Sequence, residues 1–128
     1  MTKLMTKTMI KAMTKLDELK LRTDVPVVVT DHQGFITYVN DCFTVIFGWD
    51  AEQVIGQMIT IVIPAGFHDS HHLGFSRFLS TQQSTILDHP LRLKGITKDG
   101  REIEAEHLIM AEQHQGEWVF MATLSPLS

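Results

Sequence analysis

The chain has 128 residues, 44% hydrophobic and 20% charged, and carries a net charge of −4. That is the balance of one soluble globular domain, large enough to bury roughly two-thirds of its unfolded surface without a disulfide or metal staple. The acidic balance argues against general nucleic-acid binding, which leaves a basic footprint. Cys42 is the sole cysteine, so no disulfide forms within the chain and a reducing, cytoplasmic setting is expected.

Lys3, Lys7, Lys11 and Lys15 step by four, opposite an apolar stripe of Met5, Met9, Met13, Leu16 and Leu19. Residues 1–23 are therefore expected to form an amphipathic helix that caps the domain or pairs with a second copy. A membrane-surface role is disfavoured because the stripe lacks a bulky aromatic anchor, and no apolar run reaches the length of a membrane span. The lysine-bearing start has no signal-peptide core. Asp24-Val25-Pro26 breaks the helix. Val25 to Thr30 and Phe35 to Val39 read as strands of a hairpin, turned at Asp31-His32-Gln33-Gly34. Asn40 or Asp41 can cap a short helix that ends at Gly48, and Asp50 another that closes near Gly56. Gln57 to Ile63 is a short apolar segment ended by Pro64.

Between Pro64 and Leu93 the chain holds His68, His71, His72 and His89. Phe67, His71, Phe75 and Phe78 recur at helical spacing, so the middle of this stretch reads as an amphipathic helix. A histidine on such a face either hydrogen-bonds within the core or offers a metal a neutral, shielded imidazole. His68 and His72 have the i, i+4 spacing of a metal clamp but no third ligand, and solvated roles suit them better. Ile86 to Thr97 is expected as a long strand, with a primed turn at Asp99-Gly100. From Arg101 to Met110 the period of two is clear. Ile103, Ala105, His107 and Ile109 share one face, and Glu102, Glu104 and Glu106 the other. His107 is thus expected to point into the core. A turn at Gln113 to Gly116 precedes a last strand, Trp118 to Leu124. Antiparallel strands with helices segregated to one side make an α+β domain with a cleft between sheet and central helix.

Three strings carry a resemblance: V-V-V-T-D-H-Q-G-F-I-T-Y-V-N, F-G-W followed by V-I-G-Q, and T-K-D-G-R-E-I-E-A. With the order of elements, they resemble a PAS domain over about Asp24 to Leu124. The resemblance implies a five-stranded antiparallel sheet, with short helices and one longer helix across one face. Its boundaries would be an N-terminal helix at 1–23, a sensor domain at 24–125 and a tail at 126–128.

Within that family, H-H-L-G-F-S-R-F is similar to the haem-binding oxygen sensors of the FixL type and the direct oxygen sensor type. The similarity implies haem b, with His71 as the iron ligand and Arg77 as the propionate partner. Phe75, Phe78, Leu91, Leu93 and Ile109 would contact the cofactor. Leu91 stands where the FixL type has an oxygen-stabilising arginine, and His89 where the other type has a methionine ligand. His107 as hydrogen-bond donor, or His89 as direct ligand, could serve the far side; strand alternation favours His107. Flavin photosensors of this fold need a cysteine on the central helix, and none is there. No nucleophile–base pair or phosphate loop suggests an enzyme. The expectation is a sensor of a diatomic gas or redox state that relays to a homodimer partner or output domain. The alternative is a cofactor-free dimerisation and relay module.

Overall fold

The computed structural model describes residues 13–82 and 87–127. Helix α1 (Lys15–Lys20) leads into strands β1 (Val27–Thr30) and β2 (Ile36–Val39). Helices α2 (Asp41–Phe47) and α3 (Ala51–Val54) follow, then two 3₁₀ turns (Ile59–Val62 and Ala65–Phe67) and the longer α4 (His68–Thr81). Strands β3 (Leu91–Ile96), β4 (Glu102–His114) and β5 (Glu117–Pro126) complete the order. All five strands join one sheet, β2-β1-β5-β4-β3, with every neighbouring pair antiparallel. This is the expected α+β architecture.

Strand β1 is buried along its whole length because both faces of the sheet are covered beside it. On the inner face Val28 joins Ile36, Val39, Phe43, Phe47, Val54, Val62, Ala105 and Leu124. On the outer face Val27 and Val29 join Val25, Met121 and Leu19 of α1, with Leu16 packed alongside. Asn40 ties the two layers together at the end of β2. Its Oδ1 accepts the Val27 and Phe43 N–H groups at 2.9 and 3.0 Å. Its Nδ2 donates to the Val25 and Arg22 carbonyls at 2.8 and 3.2 Å. The asparagine therefore caps α2 and also anchors the chain entering β1.

Several boundaries differ from the sequence reading. Met5 and Met9 lie outside the described residues, and the helix within them opens only at Lys15. Thr14 is extended and forms a capping box with Asp17, which starts the helix there. Ile86 also lies outside the described residues. The expected long strand begins instead at Leu91, because Asp88 adopts positive φ (63°) and donates its N–H to Ile109 at 2.8 Å. At Asp99-Gly100 only the glycine has positive φ, and Thr97 accepts the Gly100 N–H. The turn is thus a three-residue loop with a left-handed glycine rather than a two-residue primed turn. The primed geometry sits at Gln115-Gly116, where both residues have positive φ, so β4 runs on to His114. Pro126 belongs to β5 and Leu127 donates to the Glu104 carbonyl at 3.0 Å, so residues 126 and 127 of the expected tail are joined to the sheet.

Candidate functional site

Helix α4 sits on the inner sheet face through its aromatic residues. The Phe75 ring lies 5.0 Å from Phe120, and Phe78 lies 4.9 Å from Trp118 and 5.3 Å from Phe120. One turn toward the N-terminus, His71 stacks on Phe75 with centroids 6.0 Å apart. Phe67, by contrast, lies in the preceding 3₁₀ turn and is exposed, as are Leu73 and Leu79. The apolar stripe of α4 therefore reaches the sheet only from His71 to Phe78.

The sheet supplies the opposite wall. His107 lies between Leu91 of β3 and Leu124 of β5 in the register, on the inner face with Ile103, Ala105 and Ile109. Leu93 shares the inner-face register through its pairing with Ala105, yet 41% of it remains exposed. The inner face is thus uncovered toward the β3 edge.

Two ring nitrogens in this region are buried without a hydrogen-bond partner: Nδ1 of His71 and Nε2 of His107. Burial pulls the His71 pKa down, and the neighbouring His72 and His68 imidazoles lower it further. Burial alone pulls His107 down to about 4. Both rings are therefore neutral at neutral pH. Each keeps one nitrogen as a lone-pair acceptor and one as an N–H donor.

The other candidates are placed differently. His68 donates through Nε2 to the Ile63 carbonyl at 2.6 Å, so it is a tethered residue at the start of α4 rather than a solvated one. His72, Arg77 and His89 are exposed, the last in the bend before β3. Cys42 is half-buried on α2. Among the described residues, no group of three histidine, cysteine or acidic side chains could hold a bare metal ion.

The sequence reading missed Trp118 and Phe120 as the aromatic floor beneath α4. Alternation along β5 was the available signal, since Trp118, Phe120, Ala122 and Leu124 fall on one face. It also missed Trp49, whose indole Nε1 is a third buried polar atom without a partner.

The arrangement of sheet and helices has a counterpart in a known family profile, the PAS fold, which matches residues 14–126. The chain belongs to the PAS family. The match begins at residue 14 rather than the expected 24, so α1 falls inside the family unit. An uncharacterised protein of Azorhizobium caulinodans is 32% identical over 103 residues, which cover 80% of this chain but only 14% of that protein. The PAS domain of an HTR-like protein from Haloarcula marismortui matches with a TM-score of 0.64 and 23% identity. That match covers 98% of this chain and 99% of the other. A PAS domain from Desulfitobacterium hafniense matches with a TM-score of 0.67 and 17% identity, over 82% and 94% of the two chains. At these identities the solved structures bear on the fold alone. As a PAS domain the protein is a sensory signalling module. No helix among the described residues is long and apolar enough to cross a membrane.

Proposed function

We propose that this PAS domain binds haem b between α4 and the inner sheet face and senses a diatomic gas or the redox state of the iron. The observation that carries the reading is the pair of buried, unpartnered imidazole nitrogens, one on each wall. Polar atoms that give up water in a fold ordinarily find a partner, so two left without one, beside an uncovered inner-face leucine, suit a bound group. The donor chemistry fits haem, since a neutral, shielded imidazole is an axial ligand.

When bound, the haem supplies an iron that accepts one small ligand or changes oxidation state. The chain does the rest. His71 would hold the iron from α4, its ring positioned by stacking on Phe75. Leu91, Leu93 and Ile109 would line the sheet side of the bound group. His107 offers a neutral N–H donor from a dry wall, the group that Leu91 cannot provide. Arg77 is exposed and free to meet a propionate at the rim. His89, also exposed, is the weaker candidate for the far side. A second copy of the chain and an attached or separate output domain are the proposed partners.

The second reading, a cofactor-free relay domain, is favoured by the direct packing of Phe75 and Phe78 on Phe120 and Trp118. That contact leaves haem only the N-terminal half of α4. The two readings separate in one absorbance scan of protein made with adequate haem supply. A Soret band that disappears in His71→Ala and persists in His72→Ala is the expected result. Colourless protein that takes up no added haemin rules the haem reading out.

A further inference from the structure

Away from the inner face, one charged cluster joins elements far apart in sequence. Glu112 lies on the outer face of β4, in line with Met110 and His114. Its Oε2 accepts the backbone N–H of Lys15, the first residue of α1, at 3.1 Å. Its Oε1 takes the His114 Nε2–H at 2.6 Å. Only 22% of the Glu112 side chain and 29% of the His114 side chain are exposed. Burial by itself would raise the Glu112 carboxyl, but the Lys15 N–H, His114 and the Leu16 N–H outweigh it and hold the group below the ordinary carboxylate range.

Thr14 and Asp17 already cap the first turn of α1 from within. Glu112 adds a cap from the sheet at this first turn, while Leu16 and Leu19 pack on the outer face and Tyr38 of β2 meets the far end of α1, its hydroxyl donating to the Lys20 carbonyl and its ring lying under the Lys20 ammonium. We propose that Glu112, steadied by His114, is a clasp that docks α1 on the outer sheet face, and that loss of its negative charge frees α1 while the sheet stays folded. Other charged groups face this end from each neighbouring element. They are Lys15, Asp17 and Glu18 on α1, and Glu117 on β5, whose carboxylate lies 3.3 Å from His32 of the β1–β2 turn. The clasp stands whatever the inner face binds. Because β4 also carries His107, a displacement of this strand reaches α1 through a directed bond and not only through apolar contact.

Hydrogen exchange of the full chain between about pH 3 and pH 7 tests this in the wild type, Glu112→Gln and His114→Gln. A carboxyl whose folded pKa is depressed contributes stability above its ordinary value and loses it as the pH falls through the folded value. Protection of the α1 amides relative to β1 and β5 should therefore fall in acid in the wild type. In Glu112→Gln it should already be lower at neutral pH by about tenfold, the strength of one ordinary helix cap. Its pH dependence should be smaller than that of the wild type. His114→Gln should lie between the two. Wild-type protection in Glu112→Gln, the same loss in the sheet as in α1, or His114→Gln indistinguishable from wild type would each overturn the proposal.

Discussion

At His107 the sheet holds an imidazole whose Nε2 has no partner, and burial pulls its pKa down to about 4. In the unfolded chain the same ring titrates near 6.5. Below that value the unfolded state takes up a proton that the folded state refuses, so stability is full above about pH 6.5 and is lost as the pH falls toward about 4. The shift corresponds to a loss on the order of 3 kcal/mol across that window. His107→Leu should remove most of this loss and leave the protein at least as stable at neutral pH, because no orphaned nitrogen remains. Urea unfolding at about pH 7 and pH 4.5 checks it. An equal acid loss in both proteins would place the cause elsewhere. The direction of this side chain was legible in the sequence, because a period of two fixes which face a strand residue takes. Asn40 was legible as a candidate helix cap, and it does cap α2. Its bonds to Val27, Val25 and Arg22 were not legible, nor was the role of Glu112, because these contacts join segments that meet only after the sheet has formed and no local pattern marks such a meeting.

Helix α4 shows how far periodicity reaches at the scale of an element. Spacing placed Phe67, His71, Phe75 and Phe78 on one face, and the last three do turn toward the sheet. Phe67 does not, because Pro64 starts a 3₁₀ turn whose geometry differs from that of the helix. Phe78 is 5% exposed and wedged against Trp118 and Phe120, so it anchors the helix more firmly than Phe75 does. Phe78→Ala should cost about 3–5 kcal/mol, the range for removing a buried aromatic ring. Phe75→Ala, at a half-buried site, should cost less. Thermal unfolding of the two variants gives the order, and a larger loss for Phe75→Ala would mean the helix is seated elsewhere. The same limit applies to α1. The lysine and methionine stripes run smoothly through Thr14, but a threonine followed three residues later by Asp17 is also a helix start, and the local cap prevails.

For the whole molecule, the order of strands and helices was readable because turn residues separate clear periodic runs. The PAS strings fixed how the two early strands join the three late ones. The sheet divides the molecule into an inner layer with His71 and His107 and an outer layer with α1 and its clasp. β4 belongs to both. This division suits a sensor: one strand carries His107 of the candidate site on one face and Glu112, the partner of α1, on the other. Its central claim is that the two inner imidazoles are neutral and waiting for a partner. Long-range ¹H–¹⁵N spectra of the histidine rings, recorded at about pH 6 before and after one equivalent of haemin, test it most directly. The His107 ring should read as neutral in the free protein, and haemin should shift or broaden His71 and His107 while leaving exposed His32 unchanged. A protonated His107 at that pH, or inner rings unmoved by haemin, would contradict it.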